Sequence, residues 1–287
     1  YDLGQLRSAR RIEQGFVDEN WIVNTDLGRF FLKRRNPRRR QSPDLVSAQH
    51  DLIRWLQRAG FPAPVLVPTA EGETFLALNE ELYELEEFVQ GQLYDHSRPA
   101  HLKAAARTLG LFHTLVRGFE PRALSSQQDL YHPTKTDSIL DRLLEAWQFD
   151  HSAREAHVVR RIRKLVASLT VRFASHGKLP RQVIHGDYHA GNLLFDDDRI
   201  VAVVDYDKAN WQPPVAEVAE ALIYFSSPRA DRLRYLVYTG FLQEEPCARF
   251  LKHYASAATL DEAEVGALID KIKYSYKLRS FCFNVEI

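Results

Sequence analysis

Apolar positions follow two rhythms along this chain. Near the N-terminus they alternate with polar ones: residues 11–15, 20–25 and 29–33 read as three strands, with Trp21 and Val23, then Phe31 and Lys33, sharing a face. Asp26-Leu27-Gly28 supplies the turn between the second and third. Two more strands are expected at 75–78 and 82–88, separated by Asn79-Glu80-Glu81. Between them the period changes to that of a helix, with Leu45, Ala48, Leu52, Trp55, Leu56 and Ala59 on one stripe. Ser42 and Pro43 give it an N-cap and first residue, and Gly60 ends it. Later the helical rhythm dominates. Leu102, Ala105, Ala106, Leu109, Phe112 and Val116 form one stripe, closed by Gly118. Others run through Ile139, Leu140, Leu143, Leu144 and Trp147, and through Val159, Ile162, Leu165, Val166 and Leu169. Pro213-Pro214 opens an amphipathic helix, and further helices are expected at 230–241, 248–258 and 261–281.

One segment interrupts the helices. Val183-Ile184-His185-Gly186-Asp187-Tyr188-His189-Ala190-Gly191-Asn192-Leu193-Leu194-Phe195 places His185, Asp187 and Asn192 at the spacing H-x-D-x4-N, and the apolar run 200–204 delivers Asp205. That is the pattern of a phosphoryl-transfer loop, in which an Asp accepts the proton of an attacking hydroxyl and an Asn holds a metal. Magnesium favours oxygen ligands and keeps several of its waters, which suits one carboxylate, Asp205, and one carboxamide, Asn192. Asp187 is the candidate base, a role worth roughly 10²–10⁴-fold in rate. Any one of these residues could equally cap a hairpin. Three at this spacing, flanked by strands, make a site.

The segment, with Gly186 where protein kinases usually carry Arg, resembles the aminoglycoside phosphotransferase and choline kinase superfamily, a group that includes homoserine kinases. The resemblance implies an α+β, protein-kinase-like bilobal fold: a small antiparallel-sheet lobe with one helix, and a larger, mostly helical lobe. It implies ATP and Mg²⁺ as cofactors and a small-molecule hydroxyl as acceptor. The corresponding division is a nucleotide-binding lobe at 1–89 and a catalytic and acceptor-binding lobe at 90–287. A protein kinase of the same fold, or a nucleotide-binding scaffold with little turnover, are the alternatives.

By the same resemblance Lys33 contacts the nucleotide phosphates, the alternative being a strand-end lysine reaching solvent. The helix after it would carry a Glu paired with that lysine, and counting from Trp55 puts Gln49 there. Gln brings no charge, so Lys33 is held by a hydrogen bond to Gln49 and by phosphate alone, or Asp51 or Glu19 substitutes. Residues 14–20 occupy the place of a phosphate-covering loop but hold one Gly, so a plain hairpin is an equal reading. At the junction of the lobes the backbone of Glu87 and Val89 would bond the adenine edge, with Phe88 in the apolar slot. His185 orients the catalytic loop through hydrogen bonds. His189 is a site-edge residue, and His113 is a packed core histidine. Asp207 binds a substrate amine or water, or is an exposed turn residue. Many family members have an Asp at Glu217 that ties its helix to the catalytic loop, and Glu217 can accept the same bonds. Tyr224, Phe225, Tyr274, Tyr276 and Phe281 either line an aromatic pocket for a cationic amine or fill the core.

Composition narrows the partners. The 287 residues include 38 Lys plus Arg against 38 Asp plus Glu, so no net field favours nucleic acid or membrane. The run Arg34, Arg35, Arg38, Arg39, Arg40, broken by Asn36-Pro37, reads as a solvated loop, with attraction of an anion as the lesser reading. Cys247 and Cys282 are the only cysteines, no apolar run approaches membrane-spanning length and no leader pattern opens the chain, so a reducing cytoplasm is expected. There is no Met beside 16 Phe, an unusual composition that gives spacings within motifs more weight than spacings between them.

Overall fold

Five strands, β1 (Leu6–Ile12), β2 (Glu19–Thr25), β3 (Arg29–Arg34), β4 (Phe75–Leu78) and β5 (Glu81–Glu87), form one antiparallel sheet in the order β1-β2-β3-β5-β4. The computed structural model describes residues 1–12, 18–36, 42–120, 122–125, 141, 153–174, 178–227 and 242–284. The first strand begins five residues earlier than the 11–15 read from the pattern, because Leu6-Arg7-Ser8-Ala9-Arg10-Arg11-Ile12 is an exposed edge strand with no period-two apolar signal. Its arginines suit an edge that must not pair further. The register then sets up chemistry: Lys33 lies directly opposite Glu84, and Phe31 opposite Glu86. Opposed residues in an antiparallel pair point to the same face.

Helix α1 (Pro43–Arg58) starts where the sequence places it, with the Ser42 side chain accepting from the Leu45 amide. It buries Val46, Leu52, Ile53 and Leu56 and, with them, the polar Gln49 and His50. The larger lobe comprises α2 (Pro99–Leu115), the short α3 (Arg122–Ser125), α4 (Ala153–Ala174), α5 (Pro214–Ser226), α6 (Glu244–Tyr254) and α7 (Glu262–Asn284). The helices expected from Ile139 to Trp147 and over 230–241 lie outside the described residues. α5 departs from the amphipathic expectation: between residues 214 and 226 only Ala216 escapes full burial. A helix apolar nearly all round is a core helix, and α5 packs against α6 and α7.

Short strands carry the candidate site: β6 (Gln92–Leu93), β8 (Leu193–Asp196) and β9 (Arg199–Val203) form one sheet, and β7 (Gln182–Ile184) pairs with β10 (Asn210–Gln212). A single apolar cluster links Leu52 and Leu56 of α1 to Leu109 and Phe112 of α2, Val183 and Leu193 of the hairpins, and Val218 and Leu222 of α5. Each such side chain contributes roughly 1.5–3 kcal/mol on burial. The hairpins that carry Asp187, Asn192 and Asp205 therefore rest on this apolar cluster.

Candidate active site

The loop after β7 is held from beneath by α5. Glu217 accepts the His185 amide at 3.1 Å through Oε2 and the Gly186 amide at 2.6 Å through Oε1. Behind it His113 of α2 lies 2.9 Å from Glu217 Oε2 and 2.8 Å from the Tyr254 hydroxyl, buried as expected of a core histidine. Gly186 has φ +78°, and a Cβ there would lie 2.1 Å from the Lys208 carbonyl oxygen. Only glycine meets both conditions. The His185 ring is fully buried, with Nε2 3.1 Å from the Val204 carbonyl and Nδ1 3.3 Å from the Asp187 amide. Nε2 therefore donates and Nδ1 accepts. Burial lowers its pKa against the pull of Glu217 and Asp187, so the ring is neutral.

Asp187 Oδ2 lies 2.9 Å from Lys208 Nζ and 3.6 Å from His189 Nε2. Burial alone would raise its pKa, but His189 and Lys208 more than reverse that and hold the carboxylate well below its usual range. It is ionised and can accept a proton. Nδ1 of His189 accepts the Gly191 amide at 3.0 Å, which turns the other ring nitrogen toward Asp187. Asn192 donates its Nδ2 to the Asp187 carbonyl at 2.9 Å, and its backbone carbonyl accepts Val204 at 3.0 Å. These bonds link the Asp187 and Asp205 ends of the hairpins. Among the described residues the carboxamide oxygen of Asn192 has no partner. Asp205 sits in a left-handed turn at φ +68° with its side chain 43% exposed. That backbone is costly outside glycine and is often retained at functional sites.

Lys33 is buried between carboxylates: Nζ is 3.1 Å from Glu84 Oε1, 3.1 Å from Asp207 Oδ1 and 3.7 Å from Asp205 Oδ1. Burial alone would lower its pKa, but Asp207, Glu84 and Asp205 together hold it well above the ordinary value. The expected hydrogen bond from Lys33 to Gln49 is absent. Instead Gln49 accepts from Arg35 at 2.8 Å and donates to the Asp207 carbonyl at 2.9 Å, so both ends are occupied and it is not free to bind a cofactor. Asp51 is exposed, and Glu19 pairs with Arg11 and Arg34. The carboxylate for Lys33 comes from the neighbouring strand, where cross-strand register puts Glu84 directly opposite it. Arg35 Nε and Nη2 both donate to Glu84 Oε2, at 2.9 and 2.7 Å, and His50 Nε2 lies 2.8 Å from the same atom.

Asp207 is likewise neither an exposed turn residue nor open to a substrate amine, since it is buried beside Lys33 and Arg35. Asp18 joins this cluster: burial and a hydrogen bond to Asp207 push its pKa up to about 6, while one oxygen accepts the Asn36 amide. Residues 14–17 of the expected phosphate-covering loop, and Arg38 to Arg40 of the basic run, lie outside the described residues. Sequence reasoning missed Glu84, Arg35, Lys208 and Asp18. Only Glu84 carried a signal, its position opposite Lys33 once the strands are paired.

At the end of β5 the Glu87 amide donates to the Val65 carbonyl; in the link that follows, the Phe88 amide donates to the Arg29 carbonyl, while the Val89 amide makes no bond among the described residues. The Phe88 ring is half-buried, with the exposed Arg29 guanidinium 3.8 Å from its centre. Tyr224 and Phe225 are buried in the core, which answers the question of an aromatic pocket for these two. The side chains of Tyr274, Tyr276 and Phe281 lie outside the described ones.

The donor set fits magnesium. Asp205 and Asn192 offer one exposed carboxylate and one carboxamide oxygen without a partner among the described residues, the hard ligands that suit a cation keeping waters and phosphates for its remaining positions. Among the described residues no cluster of three or more His, Cys, Asp or Glu could hold a metal by itself, and no helix is long and apolar enough to cross a membrane.

The chain matches the phosphotransferase enzyme family over residues 8–251. It is 27% identical over 207 residues to homoserine kinase of Caulobacter sp. (strain K31), an alignment covering 72% of this chain and 61% of that protein. With a homoserine kinase of Pseudomonas aeruginosa (strain UCBPP-PA14) it shares 26% over 216 residues, covering 73% and 62%. The chain thus spans about three fifths of the length of these relatives. Among solved structures, a microcompartment-associated aminopropanol kinase superposes with a TM-score of 0.72 at 15% identity, covering 100% of this chain and 87% of the other. Amicoumacin kinase hAmiN, solved with AMP-PNP, Ca²⁺ and Ami, superposes at 0.69 and 16% identity, covering 95% and 80%. These likenesses establish the bilobal, protein-kinase-like α+β fold. The chain belongs to the phosphotransferase enzyme family.

Proposed function

We propose that this protein transfers the γ-phosphoryl group of ATP to a hydroxyl of a small amino-alcohol-like metabolite. The observation that carries the reading is Asp187: a buried carboxylate kept ionised by Lys208 and His189, one bond away from Asn192. In this reading Asp187 takes the proton of the acceptor hydroxyl as its oxygen attacks phosphorus. Lys208, beside the base, and Lys33, across the cleft, face charge spread over the phosphoryl oxygens in a loose transition state. Asn192 and Asp205 would hold Mg²⁺, whose chemistry is to neutralise phosphate charge. The backbone of Glu87 and Val89 would hold the adenine edge, dividing nucleotide binding at 1–89 from acceptor binding at 90–287. His185 fixes the loop without exchanging a proton, since both ring nitrogens are engaged.

The scaffold alternative rested on the missing helix Glu, and Glu84 removes that reason by giving Lys33 a buried carboxylate partner. The names of the relatives suggest where to begin: homoserine and aminopropanol head a screen of hydroxyl-bearing metabolites with radiolabelled ATP. On the best acceptor, Asp187→Asn is expected to slow transfer by about 10²-fold or more while the Kd for ATP changes little. Equal rates for the two proteins would sink the assignment. Label appearing on polypeptide instead of a small molecule would favour a protein kinase.

A further inference from the structure

Glu86 on β5 is only 8% exposed, and among the described residues its carboxyl group makes neither a hydrogen bond nor an ion pair. Its oxygens are not among the sealed, partnerless atoms of the interior, so they reach open space. The direction of that space follows from the strand. Residues two apart share a face, so Glu86 stands beside Glu84 on the face that carries Lys33. It feels the charges of Lys33, Glu84, Asp207 and Asp205, and Tyr206 feels Glu86 in turn. It therefore lies inside the cleft, between Lys33 and the link that begins at Glu87.

An ionised carboxylate in such a place would lose much of its hydration, with only the charge of Lys33 in return. Burial, reinforced by Glu84, Asp207 and Asp205 and opposed by Lys33, pushes its pKa up to about 8. At neutral pH it is a carboxylic acid with one O–H donor and one carbonyl acceptor.

We propose that Glu86 reads the nucleobase, accepting from an exocyclic amine and donating to the adjacent ring nitrogen. Adenine presents that pair at N6 and N7, whereas guanine presents two acceptors, O6 and N7, and would set its O6 against the carbonyl of Glu86. This rests on the nucleotide placement of the proposed function, and it adds a side chain that selects the base to a site otherwise read through backbone.

The test measures binding without acceptor, by calorimetry on the full chain, for ATP, 7-deaza-ATP and GTP against wild type, Glu86→Gln and Glu86→Leu. Gln keeps a donor and an acceptor at the same reach, and Leu keeps only the bulk. Wild type and Glu86→Gln are expected to favour ATP over 7-deaza-ATP by about 3- to 10-fold, one neutral hydrogen bond, and over GTP by at least as much; Glu86→Leu is expected to lose most of the preference over 7-deaza-ATP and to keep over GTP only the part that the backbone supplies. A Leu variant that folds and keeps the wild-type ratios would overturn the inference while leaving the kinase reading intact. A wild type that binds none of the three would bring down both.

Discussion

Single residues decide how the catalytic loop is shaped, and Gly186 shows it most clearly. Its left-handed backbone would cost an L-residue roughly 1–2 kcal/mol, and the Lys208 carbonyl occupies the space of any Cβ. Gly186→Ala should therefore destabilise the fold by about 2–4 kcal/mol, read as a drop in urea midpoint at unchanged m. It should also move Lys208 away from Asp187 and slow transfer more than it weakens ATP binding. A variant with wild-type stability would show that the loop can give way. The residues legible in the sequence, Asp187, Asn192 and Asp205, belong to one short motif whose spacing is covalent. Glu84 becomes legible only once the strands are paired, opposite Lys33, and Lys208 reaches the site through a turn that no local pattern announces.

At the scale of elements, α5 is the platform on which the loop stands. Glu217 satisfies two loop amides at once and is itself fixed by His113 of α2, which bonds Tyr254 of α6. Three helices thus meet the catalytic loop through one buried carboxylate. Glu217→Gln keeps one acceptor oxygen but turns an amine toward a backbone N–H, leaving one buried donor without a partner at about 1–3 kcal/mol. Glu217→Leu leaves two and should cost more. Chemical denaturation ranks the pair, and hydrogen exchange at the Gly186 amide should rise in both; protection equal to wild type would mean that α5 is not what holds the loop. The strand and helix order followed from periodicity, but the burial of α5 on every side did not, because a stripe cannot reveal how many neighbours will surround it.

For the molecule as a whole, the two lobes are joined by charge as well as by the apolar cluster. Asp207, from the turn after β9, meets Lys33 and Arg35 of the small lobe, and its carbonyl accepts from Gln49 of α1. Burial would raise its pKa, but Lys33 and Arg35 outweigh this and depress it. A folded pKa below the unfolded one gives stability that is present above about pH 4 and lost as pH falls through the folded value. Asp207→Asn should accordingly show a shallower loss of unfolding free energy between about pH 5 and pH 3, measured in urea. An unchanged slope would mean that other carboxylates govern acid unfolding. By itself the sequence determined the order of the described strands and helices, the family resemblance and the short motif that carries Asp187 and Asn192, because each depends on residues near one another along the chain. The tertiary structure alone decided which carboxylate holds Lys33, that Asp207 is an interlobe anchor and that Glu86 faces the cleft unpaired. Pairing among distant charges is set by register and packing, which bring together side chains whose separation in sequence carries no signal.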